Sequence, residues 1–151
     1  MAMGAIAQNG MRVLNQDVVA VLRISEDVIA AVGRRERKEL ERCQRAYRGN
    51  RPPPELRDKR VILIDDGLAT GATMRSAIKA VRAQAPAKIV VAVPLAPPET
   101  VGVLEQEADE VICLATPEPF VAIGGWYHDF PQTSDDEVKA LLARAWQEAK
   151  A

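Results

Sequence analysis

The chain opens with short apolar runs, which predict strands. These runs cover residues 4–7, 11–14 and 18–22. Asn9-Gly10, between the first two runs, is a strong hairpin signal. Ser25 then has the character of a helix N-cap, and apolar side chains three or four residues apart predict a helix to about Tyr47. The prolines at 52–54 cannot continue a helix, so an exposed loop is predicted there.

From residue 60 onward the pattern alternates between strands and helices. Continuous apolar runs predict strands covered on both faces of a parallel sheet, at residues 61–64, 88–93 and 111–114. Helices are predicted from Thr73, over 97–107, and from a Ser134 capping box to about 149. Segment 116–132, rich in Pro, Gly and aromatic residues, is predicted to be irregular. The pattern predicts an α/β fold, a Rossmann-like parallel sheet flanked by helices in a single domain.

Composition narrows the class of protein only slightly. The 151 residues are 48% apolar and 27% charged, as in an ordinary soluble globular protein. No apolar run approaches the roughly 18 residues that span a bilayer, and the start of the chain lacks the features of a signal peptide. The two cysteines, Cys43 and Cys113, are far apart, so we expect reduced thiols and a cytoplasmic location. A net charge of −1 gives no support for nucleic-acid binding.

The positive charge is concentrated in one segment. Residues 34–60 hold eleven Lys/Arg against five Asp/Glu, and the rest of the chain holds nine against sixteen. Such a segment is either a solvated helix face or loop, or a site for a highly anionic ligand such as a diphosphate.

An acidic pair and a small-residue turn follow the predicted strand at 61–64. Asp65 and Asp66 stand at the carboxyl end of the strand, where ligands bind in parallel sheets. The turn at 67–72 leads into a helix, and its backbone N–H groups, hydroxyls and helix end can hold one phosphate. The carboxylates repel phosphate but suit the hydroxyls of an attached sugar, or a cation. A bare Asp-Asp-Gly turn with capping acids is the alternative, but the whole string favours a ribose 5-phosphate site.

Other phosphate sites fit less well. The sequence has no G-x-x-x-x-G-K-[ST] and no G-x-G-x-x-G, which excludes the P-loop and dinucleotide fingerprints. A phosphoaspartate receiver needs a further Asp at the carboxyl end of a later strand. Asp109-Glu110 instead precede the predicted strand at 111–114.

The string 61–73, Val-Ile-Leu-Ile-Asp-Asp-Gly-Leu-Ala-Thr-Gly-Ala-Thr, resembles the diphosphate-ribose signature of type I phosphoribosyltransferases. From about Gly4 onward the chain resembles bacterial phosphoribosyltransferase-like proteins of unassigned substrate, some fused to hydrolase domains. The resemblance implies binding of 5-phosphoribosyl 1-diphosphate with Mg²⁺ and transfer of the phosphoribosyl group to a purine-like nitrogenous base. Mg²⁺ is expected through the substrate, with the two aspartates as candidate contacts. The implied ribose 5-phosphate residues are Asp65, Asp66, Gly67, Ala69, Thr70, Gly71, Ala72 and Thr73.

The resemblance also gives meaning to two other regions. In the family a mobile loop before the signature strand closes over the diphosphate. Here the basic segment 34–58 holds that place, with Arg48 joining Asp65 and Asp66 as a candidate catalytic residue, and a solvated loop is the alternative. Segment 120–130 is similar to the segment that stacks on the base in purine-type members, and core packing of its rings is the alternative. Its candidate base-binding residues are Phe120, Trp126, Tyr127 and Asp129.

The front of the chain departs from the family pattern. Related chains begin with a helix, a strand and a Gly-containing turn that grips the diphosphate, and no such segment precedes Gly4. We therefore expect a domain over 1–151 that is incomplete at its N-terminus, a poor catalyst, and a homodimer through an exposed sheet edge. The expected partners are the diphosphate substrate and a nucleobase, not nucleic acid or a membrane. Two other interpretations stay open: a non-catalytic module that binds a phosphoribosyl compound, and a structural domain with a vestigial loop.

Overall fold

A computed structural model of the chain describes residues 4–6, 12–14 and 16–148. In chain order the elements are β1 (Gly4–Ile6), β2 (Arg12–Leu14), α1 (Gln16–Val21), α2 (Glu26–Arg48), β3 (Arg60–Ile64), α3 (Ala72–Arg82), β4 (Lys88–Leu95), α4 (Pro98–Leu104), β5 (Glu110–Ala115) and α5 (Asp135–Glu148). Apart from a short 3-10 turn at Ile123–Trp126, the segment between β5 and α5 is irregular, as predicted. The predicted α/β class is confirmed.

The central sheet consists of β3, β4 and β5, which are parallel and neighbours in that order. Because both crossovers between neighbouring strands turn the same way, α3 and α4 lie on the same face. There Ile89 and Val91 of β4 are fully buried against Ile78 of α3 and Leu104 of α4. This face forms the hydrophobic core and fixes where the loop between β3 and α3 begins.

The opposite face of the sheet, here named the bare face, is exposed along the edge strands β3 and β5, whereas Val90 of the central strand is buried there. Its outward side chains are Ile62 (55% exposed), Ile64 (76%), Ile112 (45%) and Leu114 (80%). The prediction that residues 61–64 are covered on both faces is therefore wrong for this structure. The reason is topological, because both crossover helices pack on the other face.

The β1–β2 hairpin packs against the side of α3 that faces away from the sheet. The two strands are antiparallel, with Ala5 opposite Val13, as the hairpin prediction requires. The predicted Asn9-Gly10 turn lies outside the described residues. The hydroxyl of Ser76 on α3, which is 2% exposed, donates to the carbonyl of Ala5 at 3.2 Å. The helix that follows the acidic pair is thus held on two sides.

The strand predicted at 18–22 is wrong, because α1 is a helix. The N–H of Leu22 donates to the carbonyl of Val18 at 3.0 Å, which is a helical bond. Val18 is buried, whereas Val21 and Leu22 are exposed. A run of five apolar residues has too little periodicity to distinguish a strand from a helix.

Helices α2 and α5 carry the predicted caps. Ser25 accepts from the N–H of Val28 at 3.5 Å, and α2 ends at Arg48, close to the predicted end. At the start of α5, the Ser134 N–H donates to the Glu137 carboxylate at 2.8 Å and the Glu137 N–H to the Ser134 hydroxyl at 3.3 Å, a capping box. None of the helices in the described ranges is both long and apolar enough to cross a membrane.

Candidate functional site

The acidic pair lies at the carboxyl edge of the sheet, as predicted. Strand β3 ends at Ile64, and Asp65 and Asp66 are the next two residues. The chain then turns toward β4, where the N–H of Leu68 donates to the carbonyl of Leu95 at 3.0 Å. Leu68 is buried, so its side chain anchors the loop in the core. The loop between β3 and α3 is therefore tied to the neighbouring strand at its first turn.

Beyond Leu68 the backbone presents a row of free donors. Gly71 is the N-cap of α3 and has a left-handed conformation, with φ 68° and ψ 4°. The first helical bond there runs from the N–H of Arg75 to the carbonyl of Gly71 at 2.9 Å. Within the described residues, no protein acceptor takes the six N–H groups from Ala69 to Met74. N–H groups that have no protein acceptor at a loop and a helix start are able to bind an anion.

The two carboxylates occupy different environments. Asp65 is partly buried, and its Oδ1 accepts from the N–H of Asp66 at 3.0 Å. Burial raises the pKa of Asp65, and the neighbouring Asp66 charge adds to that increase. Asp66 is exposed and faces solvent. Two acceptors thus stand at the beginning of a loop whose far end is rich in donors.

Groups from outside the loop hold its shape. The Thr100 hydroxyl, from α4, donates to the carbonyl of Ala69 at 2.7 Å. The Tyr127 hydroxyl donates to the carbonyl of Asp66. Gly67 lies so close to Ile123 that an added Cβ would meet the Ile123 Cγ2 at 2.8 Å. The loop is thus packed between α4 and the segment that follows β5.

Sequence reasoning identified the loop but missed Thr100, Leu95 and Ile123. Thr100 carried a usable signal, because it follows β4 at the carboxyl edge where ligands bind. Leu95 contributes a backbone carbonyl and Ile123 only packing, and neither has a sequence signature.

The candidate base-binding residues all come from the segment after β5, and of these Tyr127 bonds to the loop between β3 and α3. Phe120 lines an open groove of about 510 Å³, together with Pro97, Pro98, Glu99 and residues 117–119. That volume is within the range of small-molecule sites. Tyr127 contacts the acidic turn, and its ring lies 5.1 Å from that of Phe130. Trp126 and Asp129 are exposed. A role for these residues in binding a base stays a prediction.

The basic segment 34–58 has partners of its own. Its residues up to Arg48 are helical, and on α5 the Asp135 carboxylate accepts from Arg42 at 2.8 Å and from the Tyr47 hydroxyl at 2.6 Å. The bond from Arg42 lowers the pKa of Asp135, and the bond to Asp135 raises the pKa of Tyr47 to about 12. The Arg51 guanidinium lies 3.6 Å from the centre of the Trp146 ring.

Arg48 differs from these neighbours. It is partly buried at the C-terminal end of α2 and forms no ion pair in the described part of the chain. Its catalytic role and the mobility of the segment stay predictions.

The structure is thus an α/β domain in which backbone N–H groups without a protein acceptor and two carboxylates lie together at the carboxyl edge of a parallel sheet. A sequence profile of the family described as "Phosphoribosyl transferase domain" matches residues 5–131. The chain therefore belongs to this family, as the resemblance of its signature loop implied.

Individual relatives agree with this assignment. The chain is 44% identical over 145 residues to "Putative phosphoribosyl transferase MT0597" of Mycobacterium tuberculosis (strain CDC 1551 / Oshkosh) and to "Putative phosphoribosyl transferase Rv0571c" of strain ATCC 25618 / H37Rv. These matches cover 96% of the chain but only 33% of each relative, so the chain spans about a third of their length. The crystal structure of TT1426 from Thermus thermophilus is similar with a TM-score of 0.73 and 36% identity, over 95% of this chain and 68% of that one.

Proposed function

We propose that this chain is a phosphoribosyltransferase-type domain that binds 5-phosphoribosyl 1-diphosphate with Mg²⁺ and transfers the phosphoribosyl group to a purine-like nitrogenous base. The observation that carries the proposal is the row of six free N–H groups from Ala69 to Met74, beside the carboxylates of Asp65 and Asp66. Family membership supports the same assignment.

The two ends of the loop suit the two ends of a ribose 5-phosphate. The donors from Ala69 onward, the exposed Thr70 and Thr73 and the positive end of α3 hold the 5-phosphate. Asp65 and Asp66 accept from the ribose hydroxyls, and their charge disfavours phosphate at that end. The ligand is thereby oriented with its phosphate over the helix and its sugar over the strand end.

Mg²⁺ fits this site as an ion that arrives with the substrate. The described residues contain no group of three or more His, Cys, Asp and Glu side chains that could hold a metal by themselves. Magnesium is commonly bound by one or two carboxylates together with substrate phosphates. Asp65 and Asp66 supply that number of carboxylates. The bound ion would supply positive charge beside the departing diphosphate.

The chain's own residues contribute to the remaining steps. We propose that Arg48, which forms no ion pair among the described residues, supplies positive charge to the diphosphate when segment 34–58 closes. Such closure excludes the water that would hydrolyse the activated ribose. The base is proposed to bind along the segment after β5, against Phe120, Trp126, Tyr127 and Asp129.

We further propose that the chain forms a homodimer. On the bare face, the apolar side chains of Ile64 and Leu114 are more than three-quarters exposed. Strands β3 and β5 stand at the edges of the described parallel sheet. Pairing with a second copy would bury the face or an edge and lower the cost of exposing them.

Calorimetry on matched variants tests the site. Wild-type protein is titrated with ribose 5-phosphate and with inorganic phosphate, and the same is done for Asp65→Asn/Asp66→Asn. The double variant should bind ribose 5-phosphate at least ten-fold more weakly, because two hydrogen bonds that lose the carboxylate charge weaken by about 1 kcal/mol each, and their sum exceeds 1.4 kcal/mol. Its affinity for inorganic phosphate should stay the same or rise, because a nearby negative charge is removed.

The control is Glu105→Gln/Asp136→Asn, which removes the same charge at two exposed positions elsewhere. It should leave both affinities unchanged. Equal loss of both ligands in the site variant would mean that the pair maintains the loop structure instead. Diphosphate release is then measured with 5-phosphoribosyl 1-diphosphate, Mg²⁺ and a panel of nucleobases. Binding without release for any base would favour the non-catalytic binding module.

A further inference from the structure

We infer that Thr100, which lies outside the signature loop, is a positioning residue that turns the loop donors toward the 5-phosphate. The inference rests on the proposed phosphoribosyl site. It assigns a role to a side chain of α4, a helix that supplies none of the loop residues.

Thr100 holds the loop at two points. Its Oγ1 donates to the carbonyl of Ala69 at 2.7 Å. Its methyl group lies against Gly71, where an added Cβ would be only 2.9 Å from the Thr100 Cγ2. Thr100 is 7% exposed, so this bond is shielded from competing water.

The direction of the Ala69 carbonyl decides the direction of the next donor. In a trans peptide the C=O and the following N–H lie in one plane and point in opposite directions. When Thr100 holds the Ala69 carbonyl toward α4, the N–H of Thr70 points away from α4. Without the hydroxyl, that peptide is free to rotate and to present an oxygen to the anion. The hydroxyl therefore fixes a donor that the ligand would otherwise have to order.

The local structure of α4 makes the Thr100 side chain available to bond with the loop. The Thr100 N–H donates to the carbonyl of Pro97 at 3.0 Å, so the backbone donor is already used. Pro97 and Pro98 restrict the backbone at the start of α4. Thr100 thus projects from a rigid turn, which suits a residue that positions another segment.

The test compares two substitutions of Thr100 by calorimetry with ribose 5-phosphate, at a temperature where every variant is folded. Thr100→Val keeps the shape but removes the donor, and should weaken binding about ten-fold, because the Ala69 carbonyl loses its hydrogen bond and the peptide that presents the Thr70 N–H is no longer held in place. Thr100→Ser keeps the donor and should bind within about three-fold of wild type. If Thr100→Val does not fold, Thr100→Ala takes its place in the same comparison.

Ser76→Ala is the matched control. Ser76 is also buried, and its hydroxyl also donates to a backbone carbonyl, that of Ala5 in the hairpin. This variant should lower the unfolding midpoint about as much as Thr100→Val and leave the affinity unchanged.

Three results would overturn the inference. Unchanged affinity in Thr100→Val would show that the hydroxyl does not position the loop. Equal losses of affinity in Thr100→Val and Ser76→Ala would show a general effect of stability. Wild-type protein that fails to bind ribose 5-phosphate at all would remove the proposed function, and this inference with it, so the two failures are distinguishable.

Discussion

The left-handed residue before α3 allows a quantitative test of the loop geometry. Gly71→Ala places a side chain where φ is 68° and ψ is 4°. The left-handed conformation costs alanine about 1–2 kcal/mol, of which a less flexible unfolded chain offsets about 0.4–1 kcal/mol. The new Cβ would also lie 2.9 Å from the Thr100 Cγ2, and overpacking of this kind costs about 1–3 kcal/mol. We expect a loss of about 2–3 kcal/mol in the free energy of unfolding.

Urea denaturation measures this loss as a lower midpoint with an unchanged slope. Gly102→Ala is the control, because Gly102 is within α4 and an added Cβ there meets no atom within 4 Å. That variant should gain about 0.5–1 kcal/mol, since alanine favours a helix over glycine. Ribose 5-phosphate should bind Gly71→Ala more weakly and Gly102→Ala normally. A Gly71→Ala protein as stable as wild type would refute both the assigned backbone conformation and the close contact.

Three further predictions concern the loop and the sheet. Burial raises the pKa of Asp65, so the fold favours its protonated form, and the stability this gives is lost as pH rises through the folded pKa. Asp65→Asn should therefore be more stable than wild type at pH 7, with the difference shrinking as the pH falls toward about 4, near the pKa of an unfolded aspartate, and a constant difference in urea denaturation between pH 7 and pH 4 would contradict this. Tyr127→Phe should weaken ribose 5-phosphate binding several-fold by releasing a loop carbonyl, whereas Tyr47→Phe, which loses a bond to α5, should leave the calorimetric affinity unchanged. Ile64→Lys/Leu114→Lys should abolish self-association in light scattering. The free energy of unfolding of the monomer should change by less than about 1 kcal/mol, because both side chains are mostly exposed. A strictly monomeric wild type would argue against the homodimer.

The part of the fold after residue 60 could be predicted because its local signals agree. The apolar run of β3 indicates a strand, the small residues that follow indicate a turn, and the amphipathic start of α3 indicates a helix. The Ser134 capping box likewise predicts where α5 begins, since capping depends on residues three apart.

The failures have a common physical origin, because they depend on contacts between distant residues. Whether residues 18–22 form a strand or a helix is decided by the tertiary contacts that bury Val18 and leave Leu22 exposed. The exposure of Ile62 depends on which face the crossover helices occupy. The bonds from Thr100 and Tyr127 to the loop join residues 31 and 61 positions apart. Their acceptors are backbone carbonyls, which every residue has, so the sequence carries no signal for them.

The order of the strands in the sheet has a consequence for how the chain folds during synthesis. Because β3, β4 and β5 are neighbours both in sequence and in space, each strand can pair as soon as the next helix has formed. The bond from Arg42 to Asp135 instead joins residues 93 positions apart. Contacts between distant residues require a larger loss of chain entropy before they form, and so tend to form late. The sheet and the loop between β3 and α3 can therefore form on the ribosome before α5 emerges, and docking of α5 on α2 would follow.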